Sequence, residues 1–194
     1  MKQQTKHFMT DRFVRSFFKS KLRMGVILAV ILAVAVLYKF SSVNAKTIYD
    51  RYYTSYDLGT MRGNGTSDTL QEAYRLEEAY KNKNWSKVAS LYNQESARTA
   101  KYYFLAGMAD LELHQYQVAV EQFEAVLSEN EKNHNTYFKD EAEYFLAFGY
   151  LMNNESGKAV RLLANIRQNK EHQYYPMANQ ISGVDMKILG LKSR

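Results

Sequence analysis

The chain has no cysteine and a single proline, Pro176, in 194 residues. Without cysteine there is no disulfide, no thiolate zinc site, no thiol nucleophile and no lipid attachment through an N-terminal cysteine. One proline excludes a Pro-rich linker. No alternating apolar and polar run is long enough for a strand, so sheet folds are set aside. Histidine is scarce too. His7, His114, His134 and His172 each lack a second histidine three or four residues away, so the spacing of a helical metal pair is missing. They are expected to be solvated, one in a basic head, one at a turn and two in polar loops. Gly63-Asn64-Gly65 has neither the lysine nor the preceding strand of a phosphate-binding loop. Asp140 and Glu143 share a helix face and read as first-turn acids at the amide end of a helix. No catalytic, cofactor-binding or metal-binding residue is assigned, and no cofactor is expected.

The net charge of +6 is unevenly placed. Residues 1–23 hold Lys2, Lys6, Arg12, Arg15, Lys19, Lys21 and Arg23 against Asp11 alone. From Ala45 onward the two signs nearly cancel. A nucleic-acid binder needs a basic face on its folded part, and this balance points to none. Met24 to Tyr38 then passes fifteen residues without a charge. With its flanks, 22–40 reaches the short end of what crosses a bilayer, and Arg23 and Lys39 can snorkel. Dense positive charge before the span predicts the N-terminus inside and the C-terminal part outside, in the periplasm of a bacterial cell. Val43-Asn44-Ala45 also resembles the small-x-small end of a cleavable signal, which would release the chain near Ala45. The long basic lead favours a retained anchor.

The expected organisation is a basic cytoplasmic head over 1–21, a transmembrane helix over 22–40, a juxtamembrane segment and glycine-rich loop over 41–66, and a helical-repeat domain with a closing helix over 67–194. Tyr49, Tyr52, Tyr53 and Tyr56 crowd the juxtamembrane segment, at the membrane interface or packed on the first repeat helix. Asp68, with Gln71 three residues on, reads as the cap of the first repeat helix. Apolar residues then recur at helical spacing in three hairpins. The first pairs Leu70–Tyr80 with Trp85–Tyr92, the second Ser96–Leu113 with Tyr116–Leu127, the third Tyr137–Met152 with Gly157–Ile166. A single closing helix is expected over Tyr175–Leu189. A hairpin cannot bury its apolar face alone, so repeated hairpins predict stacking.

Gly107, Ala119 and Phe123 in the second hairpin, and Ala147, Ala159 and Leu163 in the third, match the small-residue pattern of the tetratricopeptide-repeat family, which the chain resembles. Leu76 and Val88 depart from it in the first. Ala119 and Ala159 are forty residues apart, longer than the usual repeat of about thirty-four. The RYY and SY segments before a glycine loop, followed by LAGMADLEL and YFLAFGYL, also resemble small membrane-anchored repeat proteins of Bacteroidetes-like bacteria, which look like cell-envelope scaffolds.

In stacks of that kind the first helix of each pair lines a concave face. Its candidates are Tyr74, Glu77 and Glu78 in the first hairpin, Tyr102, Met108 and Glu112 in the second, and Tyr144, Phe148 and Met152 in the third. The resulting expectation is a non-enzymatic scaffold or adaptor in the cell envelope, all-α, binding a protein or peptide partner. The alternatives are an accessory subunit of an envelope enzyme or glycan-handling complex, and a signalling adaptor acting through its basic head.

Overall fold

The computed structural model describes residues 24–59, 67–94 and 98–193. The basic head over 1–21 and most of the glycine-rich loop lie outside the described residues, as do the side chains of the Asp68–Gln71 cap. The chain divides into two units, Met1–Ser42 and Val43–Arg194.

In the first unit, α1 runs from Met24 to Ser42, nineteen residues with no side chain buried. At 1.5 Å per residue it is about 28 Å long. Among the described residues it is the one helix long and apolar enough to cross a membrane. Nothing polar interrupts it before Lys39, so it has no solvent-facing side.

The second unit is all-helical, with no strand among the described residues. It begins with α2, Ala45–Tyr52. Three hairpins follow: α3 Ser67–Lys81 with α4 Trp85–Gln94, α5 Ala100–Glu112 with α6 Tyr116–Asn133, and α7 Lys139–Met152 with α8 Ser156–Gln168. Short helices α9 Tyr175–Gln180 and α10 Gly183–Lys192 close the chain. Each helix from α3 to α8 packs on the next, and α3, α5 and α7 also touch in sequence. The first helices therefore form one layer and the second helices another, as in a helical-repeat stack.

The three hairpin turns have the same construction. Lys83, His114 and Asn154 each take a left-handed backbone, with φ of 54°, 60° and 62°. The next amide closes each helix by reaching back five residues: Asn84 to Ala79 (2.9 Å), Gln115 to Asp110 (2.8 Å) and Glu155 to Tyr150 (2.8 Å). This is the helix-ending motif that satisfies orphan carbonyls. The uneven repeat length has a location. Helix α6 has 18 residues against 10 in α4, so it continues past its expected end at Leu127 and through most of 130–135, expected as a polar loop, until His134 turns left-handed (φ 52°).

Close helix approach rests on small residues. A Cβ built on Gly107 would lie 2.8 Å from the Phe123 ring, and one on Gly149 would lie 3.0 Å from Val120 Cγ2. Ala119, Ala147 and Ala159 are fully buried at the same interfaces. Leu76 and Val88 are also buried, so the first hairpin packs with larger side chains.

The closing helix is two helices. Ile181 turns inward, 1 % exposed, and Ser182 breaks the run. Its hydroxyl accepts from the Asp185 amide at 3.3 Å and starts α10 afresh. The pull of a buried isoleucine and a serine cap outweighs one continuous amphipathic pattern.

Candidate functional site

The first-helix layer is covered by the chain's own N-terminal segment. After Val43, which is buried, α2 lies on α7 and the chain then extends to Leu58, also buried. Asn44 caps α2 by accepting from the Thr47 amide at 2.9 Å. Tyr49 and Tyr53, four residues apart and so on one helix side, stack at 4.5 Å. Both meet Phe148 edge-on, at 6.0 and 5.7 Å. Tyr53 also meets Phe145, and Tyr56 sits perpendicular to Phe104 at 4.9 Å. Edge and offset contacts of this kind add about 0.5–1.5 kcal/mol each beyond area burial.

Polar contacts fix the register of this strap. The Tyr53 hydroxyl donates to Glu112 Oε1 at 2.7 Å, and the Tyr80 hydroxyl donates to the Tyr56 carbonyl at 2.9 Å. At the other end Lys192 Nζ donates to the Val43 carbonyl at 2.6 Å, and Arg51 pairs with Asp185 at 3.5 Å. The strap thus engages α10, α7, α5 and α3 in turn. Burial pushes the Tyr53 hydroxyl up, and its hydrogen bond to Glu112 pushes it further. Tyr49 is raised by burial first, and Tyr144 reaches about 12 for that reason. These phenols stay protonated and serve as donors and packing surface.

The nine candidate face residues therefore occupy different settings. Met108 and Phe148 are wholly buried, and Tyr102 and Tyr144 nearly so. Tyr144 stacks on Tyr174 at 4.4 Å. Glu112 is held by Tyr53, and Met152 is half-buried. Glu77 is buried and paired with Lys101. Tyr74 and Glu78 are exposed. Helices α5 and α7 are apolar nearly all round because they are covered on the strap side as well.

A second cluster joins three groups that the sequence separates. His172 is 4 % exposed, which corrects its reading as a solvated loop residue. Its Nε2 lies 3.2 Å from Glu143 Oε2 and 3.8 Å from Asp140 Oδ1. One ligand atom from each of the three residues lies within 4.8 Å of the others. The hydrogen bonding opposes metal ligation. The Tyr174 amide donates to His172 Nδ1 at 3.0 Å, so the ring proton sits on Nε2 and donates to Glu143. Ligation through Nε2 would require that proton to move to Nδ1, against the amide. Asp140 Oδ2 also accepts from the Gln173 amide at 2.7 Å. The cluster fits a clasp between the start of α7 and the loop before α9. Only the tertiary fold brings it together, because 29 residues separate Glu143 from His172.

Asp110, on α5, is 4 % exposed, and burial raises its carboxyl to about 6. Near Asp140 and Glu141 a shallow cleft of about 380 Å³ is lined by Tyr137, Phe138 and Gln173. Burial pushes Glu141 up there, and Tyr137 is 72 % exposed.

No family model matches the chain, no curated protein matches it, and no solved structure matches it.

Proposed function

We propose that the protein is a single-pass, membrane-anchored scaffold or adaptor. In this reading its N-terminus is inside, and its tetratricopeptide-like domain, outside the cytoplasmic membrane, binds protein partners. The observation that carries this reading is a stack of helical hairpins on a chain with one apolar N-terminal helix of spanning length. Such stacks offer extended helical faces, and an anchor raises the local concentration of whatever they hold. Retention of the anchor is supported at Val43–Ala45. Val43 is buried, its carbonyl accepts from Lys192, and Asn44 caps α2, so cleavage near Ala45 would cut into folded structure. Partners meet the candidate face first at Tyr74 and Glu78, the members left exposed. Reaching Phe148 requires displacing Tyr49 and Tyr53 of the strap, and Tyr144 lies under Tyr174.

The test is photo-crosslinking in cells, with a benzophenone amino acid replacing Tyr74 in the full chain. Discrete protein adducts are expected, and a C-terminal alkaline phosphatase fusion should be active. Adducts confined to polysaccharide would overturn the scaffold reading. An inactive phosphatase fusion with an active cytoplasmic reporter would overturn the topology.

A second reading, an accessory subunit that handles glycan, is favoured by the cleft at α7. There an exposed aromatic ring, Tyr137, stands beside Asp140 and Glu141, a combination suited to stacking on a sugar and accepting its hydroxyl hydrogens.

A further inference from the structure

The C-terminal end of the stack carries an open groove between α8 and α10, about 1140 Å³ in volume. Its floor is apolar, with Val160, Ala164 and Met186 along it. Val184 and Leu191, on α10, are 58 % and 59 % exposed. Where Gly190 faces α8, an added Cβ would touch Val160 Cγ1 at 3.7 Å, so the two helices come close at that end. Arg161, Arg167 and Lys187 stand around the groove, and among the described residues no carboxylate lines it. Arg167 rests on the Met186 sulfur at 3.1 Å.

The charge extends beyond the groove. Residues 156–194 hold seven basic side chains against Glu171 and Asp185, whereas residues 100–155 hold three against ten acids. Of the two C-terminal acids, Asp185 is buried and paired with Arg51. An apolar trough with basic side chains around it calls for an occupant with the reverse pattern, apolar along one stripe and acidic beside it. The trough follows α8 from Gly157 to Arg167, about 15 Å or nearly three helical turns.

We infer that this groove binds an acidic amphipathic helix of a partner protein, its apolar stripe on Val160, Ala164 and Leu191 and its carboxylates facing Arg161, Arg167 and Lys187. The inference deepens the protein-binding reading above by naming a place and a partner chemistry. A concave trough of helix length favours a helix over a lipid surface, which needs a flat or convex face. A second copy offering its α6 fits poorly. The acid-rich helix α6 already buries its apolar stripe of Val120, Phe123 and Val126, so it has none to offer.

The test uses the full chain in detergent and two fluorescent, helix-stapled peptides. Both carry Leu at i, i+3, i+4 and i+7, flanked by Glu in one and by Lys in the other. Saturable one-to-one binding of the Glu peptide is expected, at least tenfold tighter than the Lys peptide. R161E/K187E, which changes two exposed side chains and leaves Arg167 on Met186, should reverse that preference. V184S/L191S should weaken both peptides. Equal affinities, no saturation, or a preference that survives R161E/K187E would overturn the proposal. So would a charge reversal that alters only capture by phosphatidylglycerol vesicles. If the peptides fail while benzophenone at position 74 still yields protein adducts, the groove assignment falls and the scaffold reading stands. If the peptides bind but benzophenone at position 74 yields no protein adducts, the groove stands and the face at Tyr74 falls as the contact site.

Discussion

Tyr53 donates its phenolic hydrogen to Glu112 at 2.7 Å, across 59 residues of sequence. The bond ties a tyrosine from just after the apolar helix to the end of α5. Around it the strap's aromatic rings close the first-helix layer. At α5 and α7 a face that would be a binding groove in an uncovered stack is interior here, while Tyr74 and Glu78 on α3 stay exposed.

The strap is therefore part of the folded domain, and its removal should be costly. Tyr53→Phe keeps the ring stacking and loses a hydrogen bond to a charged group, worth about 1.5–3 kcal/mol. Tyr53→Ala also loses the contacts with Tyr49, Phe145 and Phe148, for about 3–5 kcal/mol. Denaturant unfolding of the full chain in detergent checks both. Limited proteolysis should cut Tyr53→Ala near residues 53–59 sooner than wild type. Equal cutting would show that the strap is held without Tyr53.

Gly107→Ala sets a helix-propensity gain of about 1 kcal/mol against overpacking of about 1–3 kcal/mol. The new methyl would lie 2.8 Å from Phe123, whose ring is fully buried. Overpacking should win, giving a net loss of stability. The double variant Gly107→Ala with Phe123→Leu should recover part of it, as read by thermal unfolding.

Asp110 gives stability a pH dependence of defined sign. Its carboxyl sits near 6 when folded against 3.8 as the ordinary value. The folded chain thus holds this proton more tightly than the unfolded chain. Its contribution is most favourable below about pH 4 and is lost as pH rises through about 6, where burying the charge costs about 1–3 kcal/mol. Asp110→Asn should remove that slope and stabilise the protein at pH 7. The check is the difference between the two unfolding curves from pH 4 to 7.5, which cancels the titration of other groups.

Lys83 adopts a left-handed backbone, φ 54°, where a side chain is strained and glycine is not. Its side chain is exposed. Lys83→Gly should stabilise the first hairpin by about 0.5–1 kcal/mol, seen as a higher denaturation midpoint. A lower midpoint would mean that unfolded-chain entropy outweighs the relief.

The clasp at His172 should ignore divalent metal. Added Zn²⁺ is expected to leave the melting temperature unchanged, and nitrogen-detected NMR should show a proton on Nε2 and none on Nδ1. A melting-temperature rise on adding Zn²⁺ that Asp140→Asn abolishes would reverse this reading.

Most of the helical frame was legible in the sequence. The helical period at Ala119, Phe123 and Leu163 marks buried stripes, and Asn82–Asn84 and Asn153–Ser156 mark turns, because helix propensity and turn chemistry are local. That Gly107, Ala119 and Phe123 belong to one close helix contact was legible as well, since small residues mark where two helices approach, whereas the ring facing Gly107 is seen only in the structure. Asp140, Glu143 and His172 were not legible as one cluster. Their meeting depends on how the loop before α9 folds back over α7. The break at Ile181–Ser182 was missed for a similar reason, since Ile181 fits a continuous helix until the core claims it.

The order of residues was enough to decide that this chain makes one exposed apolar helix and a series of amphipathic hairpins, because both follow from side chains within one or two turns of each other. What covers the first-helix face was decided in three dimensions. The helical pattern places Phe148 on the first-helix face, where a large apolar ring favours exclusion of water. Whether a partner or Tyr49 and Tyr53 of the same chain excludes it depends on contacts between elements some 50 to 100 residues apart, which no local pattern encodes.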